Sequence, residues 1–157
     1  MAKRHSPIPA LLVSLILGFL LSMLPLPATL QSWRPEWVSV ILIFWALHAP
    51  ATVGIWTGVF CGFLLDILLV TPLGLHASVF AAQLYVVHMM RRWTGVFSIR
   101  QTTGLVFGLL MAGRVIQYVE LQLLSLPPTL HDYFLPAMAG ALIWPTIMLS
   151  LRRWTQR

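Results

Sequence analysis

Long apolar segments separated by short polar or proline-rich breaks dominate this chain. Between Val38 and Met90 the only charged residue is Asp66. A helix needs roughly 20 residues to cross about 30 Å of hydrocarbon, and somewhat shorter helices are tolerated. Residues 37–90 would form about 81 Å of helix at a rise of 1.5 Å per residue, roughly 2.7 membrane thicknesses. The pattern therefore predicts several membrane-crossing helices instead of a water-soluble core.

The basic residues indicate how many crossings there are. Eight of the ten Lys and Arg residues fall in three short clusters at 3–4, 91–100 and 152–157, between apolar segments. Loops on the cytoplasmic side of a membrane carry an excess of Lys and Arg, so we expect all three clusters inside the cell. An odd number of crossings must then separate Glu36, outside, from Arg91, inside. Three crossings fit the length of this stretch.

The predicted fold is an all-α integral membrane protein, a single transmembrane domain of six helices with both termini in the cytoplasm. Proline- and glycine-containing breaks mark the helix ends. The first helix is interpreted as retained, because its apolar run is too long for a typical signal peptide and no small-x-small cleavage site follows. The second is the shortest, and a thin, tilted or re-entrant arrangement is open for it. The six predicted helices lie at about 8–24, 35–49, 51–69, 73–90, 101–124 and 133–151.

Composition narrows the function. Of 157 residues, 59% are hydrophobic and 9% charged, against roughly 25% charged in a soluble domain, which excludes a soluble enzyme. The net charge is +6. The basic residues flank apolar segments and do not cluster on one face, so we expect membrane lipids and not nucleic acid as partners. The histidines lack metal-ligand spacing, and no nucleophile or phosphate-binding motif occurs. We therefore expect no catalytic residues, metal or cofactor.

Glycines at four-residue spacing mark the third helix. Gly54, Gly58 and Gly62 share one face, which Asp66 continues. Small residues let another helix backbone approach closely. Two interpretations are open: packing against a helix of the same chain, or against a helix of a partner protein. The fifth helix has the same spacing at Gly104 and Gly108, which indicates tight packing of its inner half.

Asp66 and His76 are predicted to interact. An unpaired carboxylate inside a membrane costs a few kcal/mol, so Asp66 must face protein. A turn before the fourth helix brings His76 to a similar depth. The carboxylate is expected to bind either this imidazole or the backbone N–H groups that open the fourth helix, clasping the turn. A proton relay would need further ionisable groups, and no clear series of them is present.

Polar residues cluster in the outer half of the fifth helix: Arg114, Gln117, Tyr118 and Glu120. By helix rise Arg114 lies about 15 Å from the outer end, a costly depth for an unpaired guanidinium. It is expected either to extend outward into a wet crevice or to meet a carboxylate, Asp66 or Glu120. The hypothesis that follows is a polar crevice open to the outside, which could hold a polar ligand.

Several motifs resemble one bacterial family in their order and spacing. They are Arg34-Pro35-Glu36-Trp37 with Trp45-Ala46, then Gly58-x-x-x-Gly62-x-x-x-Asp66, then Pro72-Leu73-Gly74-Leu75-His76-Ala77. Together they are similar to the rod shape-determining protein MreD family. Val70-Thr71 stands where many members of that family have a glycine-containing turn.

The resemblance implies an inner-membrane subunit of the elongasome, the machinery that builds the lateral peptidoglycan wall and sets cell shape. It implies direct binding to MreC, and indirect links to MreB, RodA and a penicillin-binding transpeptidase. It also implies a fold similar to the substrate-binding subunits of energy-coupling-factor transporters. The expected function is a non-enzymatic scaffold that binds the MreC membrane helix and juxtamembrane segment, and the expected surfaces are the glycine face of the third helix and the polar outer half of the fifth. The alternative is a small-molecule-binding or transporter subunit with an outward-facing polar crevice.

Overall fold

The computed structural model describes residues 7–94, 98–126 and 132–155. Within these ranges the chain is helical and contains no strand, and six helices are longer than ten residues, the number the sequence predicts. A single helical turn, Ala28–Gln31, lies between the first two. The six are α1 Ile8–Met23, α2 Trp37–His48, α3 Ile55–Leu69, α4 Leu75–Thr94, α5 Ile99–Leu123 and α6 Leu135–Thr155.

Helix α2 forms the centre of the bundle. Its residues 38–46 are all buried, and Phe44 and Trp45 have no exposed surface. Helices α1, α4, α5 and α6 all contact it. Its 12 residues span about 18 Å at 1.5 Å per residue, well short of about 30 Å of hydrocarbon. A helix this short is accommodated because its neighbours are protein, so it need not match the thickness of the lipid.

The outside of the bundle is apolar. On α1, Leu12, Ile16 and Leu20 are each more than half exposed, at 53%, 58% and 55%. By length and composition α5 is able to cross a membrane, whereas the other long helices have apolar stretches of 10 to 17 residues. Contiguous exposed apolar surface of this kind is rare on soluble monomers, and it suits a lipid environment.

A buried glutamine ties three helices together. Gln83 of α4, only 3% exposed, accepts a hydrogen bond from Ser39 Oγ of α2 at 2.7 Å. Its amide nitrogen donates to the Leu109 carbonyl of α5 at 3.1 Å. A buried polar group without a partner is costly, so both bonds favour this one arrangement of the helices.

Loops from distant parts of the chain meet at one end of the bundle. Arg34, between α1 and α2, donates through Nη1 to the Ser22 carbonyl at 2.7 Å and through Nη2 to the Leu24 carbonyl. A cation there interacts favourably with the last carbonyls of α1. Ser32 Oγ donates to Asp132 Oδ2 at 3.2 Å and so links this loop to the one before α6. We call this the loop end of the bundle.

Candidate functional site

A cavity of about 380 Å³ lies at the loop end. Its size falls within the range of roughly 300–1,000 Å³ that is common for ligand sites. The residues that line it come from the ends of α1, α3, α4 and α6, from the start of α2 and from Arg114 of α5. Its main polar residues are Arg34, Glu36, His76, Arg114 and Tyr133, and its main apolar residues are Trp37, Leu65, Leu69 and Phe80.

Arg114 pairs with Glu36. The Arg114 Nε atom lies 2.5 Å from Glu36 Oε1, and the two side chains are 18% and 14% exposed. Neither atom makes a well-oriented hydrogen bond, so the contact is an ion pair. Arg114 Nη1 also donates to Gln117 Oε1 at 3.4 Å, and the guanidinium carbon lies 5.3 Å from the Tyr133 ring centroid, a cation–π distance.

Of the two alternatives for Arg114, a wet crevice or a carboxylate partner, the second named the wrong carboxylates, because the partner is Glu36 and not Asp66 or Glu120. Glu36 precedes the central helix α2, so its side chain points into the bundle although the sequence places it in an outer loop. That position puts it opposite the middle of α5, at the depth of Arg114. Its position in the sequence, just before an apolar helix, predicted a location in the outer loop, whereas the structure places Glu36 deeper, inside the bundle.

The other predicted polar residues of α5 do not line the cavity. Gln117 is buried beside Arg114. Tyr118 accepts a hydrogen bond from Gln122 Nε2 at 2.9 Å and packs edge-on against Tyr133, with ring centroids 5.9 Å apart. Glu120 lies on another face, in a surface cleft beside residues 72–75 and 123–124. Of the predicted crevice residues, only Arg114 reaches the cavity.

Asp66 and His76 are brought together as the sequence suggests. Asp66 has no exposed surface, and its Oδ1 lies 2.6 Å from His76 Nδ1. The carboxylate also accepts from Thr71 Oγ1 at 2.9 Å, from the Gly74 N–H at 2.9 Å and from the His76 N–H at 3.0 Å. Both proposed partners, the imidazole and the N–H groups opening α4, are therefore engaged. The positive end of the α4 dipole adds to the stabilisation of the anion.

The turn between α3 and α4 contains an unusual residue. Val70, at the end of α3, has φ 54° and ψ 42°, in the left-handed region, and its N–H bonds to the Asp66 and Ile67 carbonyls. Helices often end in this conformation, but the residue is then usually glycine. A β-branched side chain there is strained. Val70 thus has a backbone conformation that suits glycine better than valine.

The glycines of α3 pack within the chain. A Cβ added to Gly62 would overlap the Ala77 backbone and lie 2.7 Å from the His76 carbonyl carbon. One added to Gly58 would lie 3.2 Å from the Phe80 oxygen and 2.6 Å from Leu84 Cδ1. Of the two open interpretations, the contacts at Gly58 and Gly62 are those of a helix in the same chain.

The glycines of α5 differ. A Cβ added to Gly104 or Gly108 meets no atom within 4 Å, and the same holds for Gly54 before α3. The expected tight packing of inner α5 therefore does not occur at Gly104 and Gly108 within the described chain. The close approach is at Gly113, where an added Cβ would lie 2.6 Å from Gln83 Nε2 and 2.8 Å from Val79 Cγ1.

Sequence reasoning missed Glu36, Tyr133, Gln83 and Gly113 as important positions. One signal for Glu36 was available, since it is one of only four acidic residues and directly precedes an apolar helix.

Burial raises the pKa of the Tyr133 phenol, and the neighbouring Arg114 opposes the rise, so this group is a neutral hydrogen-bond donor. Among the described residues no group of three His, Cys, Asp or Glu side chains could hold a metal ion.

The sequence of this chain is similar to those of known proteins from one family. A family model described as rod shape-determining protein MreD matches residues 5–154. A curated protein of Haemophilus influenzae, named rod shape-determining protein MreD, is 26% identical over 144 residues, which cover 88% of this chain and 85% of that protein. No solved structure matches.

Proposed function

This chain belongs to the MreD family of rod shape-determining proteins, and from that premise we propose that it is a non-enzymatic membrane scaffold that binds MreC. In this role it helps to control lateral peptidoglycan synthesis in the elongasome. The observation that carries the proposal is the family match over nearly the whole chain. The described part of the chain is one helical bundle, and we propose no catalytic activity for it.

The exposed small-residue face of α5 is the proposed seat for the MreC membrane helix. Gly104, Gly108 and Ala112 are exposed at four-residue spacing along this helix. Nothing in the described chain lies within 4 Å of a Cβ added to either glycine. Close approach between helix backbones favours helix association in a membrane, because burying apolar side chains there contributes little free energy. The face of α3 that carries Gly54, Gly58 and Gly62, which we call the α3 stripe, is less suitable, because α4 already packs against Gly58 and Gly62.

The proposed location is the bacterial cytoplasmic membrane, with six crossings and both termini in the cytoplasm. The loop end then faces the periplasm. In the sequence the three basic clusters at 3–4, 91–100 and 152–157 flank the start of α1, the connection between α4 and α5, and the end of α6, and an inside location agrees with their charge. Indirect links through MreC to MreB, RodA and a penicillin-binding transpeptidase belong to the same proposal, as does similarity of fold to the substrate-binding subunits of energy-coupling-factor transporters.

Co-purification with MreC tests the proposed surface. The variant Gly108→Leu should fold normally, because the added side chain meets open space, and should retain markedly less MreC on an affinity column. Gly54→Leu is the matched control, since it makes the same chemical change where an added Cβ also meets no atom within 4 Å. It should retain MreC as the unmodified protein does.

Two further measurements complete the test. A cysteine introduced at Gly104 should crosslink to a cysteine in the MreC membrane helix, whereas one at Leu142, on the exposed face of α6, should not. Normal MreC retention and normal cell shape in a Gly104→Leu and Gly108→Leu double variant would contradict the assignment of this surface. Cysteine labelling of residues near Arg100 from the periplasmic side would contradict the topology.

A further inference from the structure

The cavity at the loop end has buried polar groups that make no hydrogen bond with any described residue. Four of the six buried side-chain atoms that make no hydrogen bond with described residues belong to residues that line it: Glu36 Oε1 and Arg114 Nε, which form an ion pair with each other, and Arg34 Nε and Tyr133 Oη. Buried polar groups are normally hydrogen-bonded, and a buried group without a partner destabilises the fold. The last two of these atoms are left for an occupant of the cavity to satisfy.

The kind of unsatisfied group indicates the chemistry of that occupant. Glu36 and Arg114 neutralise each other at 2.5 Å, which leaves the Arg34 N–H and the Tyr133 O–H as the unfilled groups, and both of these donate. An occupant must therefore supply acceptor oxygens. Both residues line the cavity.

The charge of Arg34 favours an anion. Two guanidinium groups, Arg34 and Arg114, and two carboxylates, Glu36 and Asp132, line the cavity, and Arg114 is paired with Glu36. No carboxylate lies within ion-pairing distance of Arg34 in the described ranges; its Nη atoms bond to carbonyls of α1. The Asp66 carboxylate behind His76 has its own donors. Asp132 lies exposed at the rim and accepts from Ser32.

The remaining wall is apolar. Trp37, Leu65, Leu69 and Phe80 form much of the inner surface, on α2, α3 and α4. A purely ionic ligand would leave this surface in contact with water, whereas a ligand with an apolar part would cover it. The cavity lies where the helices end, which in a membrane is the level at which polar headgroups meet hydrocarbon.

We propose that this cavity binds a small monoanionic amphiphile, a carboxylate or phosphodiester group attached to an apolar chain. Its anionic oxygens lie near Arg34 and Tyr133, and its apolar part lies against Trp37 and Phe80. A soluble fatty acid-like molecule and an anionic phospholipid both have this chemistry. The site is independent of the proposed scaffold surface on α5, and its failure would leave that proposal intact.

The test uses the full chain in nanodiscs of phosphatidylcholine. Sodium octanoate is titrated while the thermal unfolding midpoint is followed, with octylammonium as the control of equal length and opposite charge. In parallel, native mass spectrometry counts the phosphatidylglycerol molecules retained when this lipid is added to the disc. Saturable binding of one octanoate per chain identifies a soluble ligand, and retention of one phosphatidylglycerol without octanoate binding identifies a lipid.

Two variants tie binding to the cavity. Arg34→Gln should weaken binding about tenfold or more, because a hydrogen bond to a charged group contributes roughly 1.5–3 kcal/mol. Arg100→Gln is the matched control, since it removes an exposed cation at the start of α5, and it should bind normally. Leu69→Trp narrows the cavity without changing any charge and should also weaken binding, even if Arg34→Gln fails to fold.

Three results would overturn the proposal. The first is the absence of saturable binding for both octanoate and phosphatidylglycerol, which would indicate a cavity filled with water alone. The second is equal binding of octylammonium. The third is unchanged affinity in a folded Leu69→Trp variant, because the ligand would then bind elsewhere.

Discussion

The α3 stripe and the α5 face carry the same spacing of small residues but differ in what covers them. At Gly62 the backbone of α4 lies against the helix so closely that a Cβ would overlap Ala77, whereas Gly108 meets no atom within 4 Å. Four-residue spacing therefore shows that a helix permits a close approach, but it does not show which helix makes it.

Chain connectivity explains the difference. The short turn of residues 70–74 folds α4 directly back onto α3, and Asp66 holds that turn through Thr71, Gly74 and His76. Helix α5 contacts α4 and α6 through other faces, with Val106, Leu110 and Gly113 buried. Its glycine face points outward because both neighbours along the chain pack on other sides.

The largest expected effect follows from replacing Gly62 by leucine. The added Cβ would overlap the Ala77 backbone, which cannot move aside as a flexible side chain can. Overpacking a core typically costs 1–3 kcal/mol and occasionally more, and here we expect more than about 3 kcal/mol. The variant should fail to yield a monodisperse peak on gel filtration in detergent.

Gly108→Leu is the matched comparison for that variant, because it makes the same change in open space. It should elute and unfold as the unmodified protein does. If both variants fold equally well, the contrast between a filled stripe and an open one does not hold.

The next largest effect is expected at Asp66. Replacement by leucine removes the acceptor of the Thr71 hydroxyl and of the N–H groups of Gly74 and His76. Loss of one member of a buried charged network costs roughly 3–5 kcal/mol. The thermal unfolding midpoint in detergent should fall sharply, with a smaller fall for Asp66→Asn, whose amide oxygen still accepts. An unchanged midpoint for Asp66→Leu would show that the carboxylate does not hold the turn.

A smaller effect distinguishes the two acidic residues near α5. Glu36→Gln should lower the free energy of unfolding by about 1–3 kcal/mol, because it leaves the partly buried Arg114 without its partner. Glu120→Gln, which breaks no ion pair among the described residues, should change it by less than about 0.5 kcal/mol. A double-mutant cycle with Arg114→Gln should show coupling to Glu36 and none to Glu120.

The reverse result would restore the pairing that the sequence suggested. Coupling of Arg114 to Glu120, with none to Glu36, would mean that the outer half of α5 is arranged differently from this structure.

These residues also show which features could be predicted from the sequence. Asp66 and His76 are joined by a single turn, so helix periodicity and one break place them together. Glu36 and Arg114 are separated by helices α2, α3 and α4, and only the position of α2 at the bundle centre brings them into contact. A single sequence does not contain that position, because it depends on how the helices pack around one another.

The glycines illustrate the same limit. Gly108 and Gly113 both belong to α5, and their spacing alone favours Gly108 through its partner at Gly104. The structure instead places Gly113 against Gln83, and the buried face of α5 is the one that carries Val106, Gly113 and Gln117. The number of helices was predictable from apolar length and charge, whereas the rotation of each helix about its axis was not.

The smallest expected effect is a stabilisation at the turn that closes the α3–α4 hairpin. Val70 has φ 54° and is 90% exposed, so its side chain is strained and contributes little packing. The left-handed conformation costs a non-glycine residue roughly 1–2 kcal/mol, and part of the gain from glycine is offset by its greater freedom in the unfolded chain. Val70→Gly should therefore raise the free energy of unfolding by about 1 kcal/mol, measured by denaturant titration in detergent. Gly74→Ala, at φ 100°, is the opposite change and should lower it by a similar amount, and a destabilised Val70→Gly variant would show that the valine side chain is needed there.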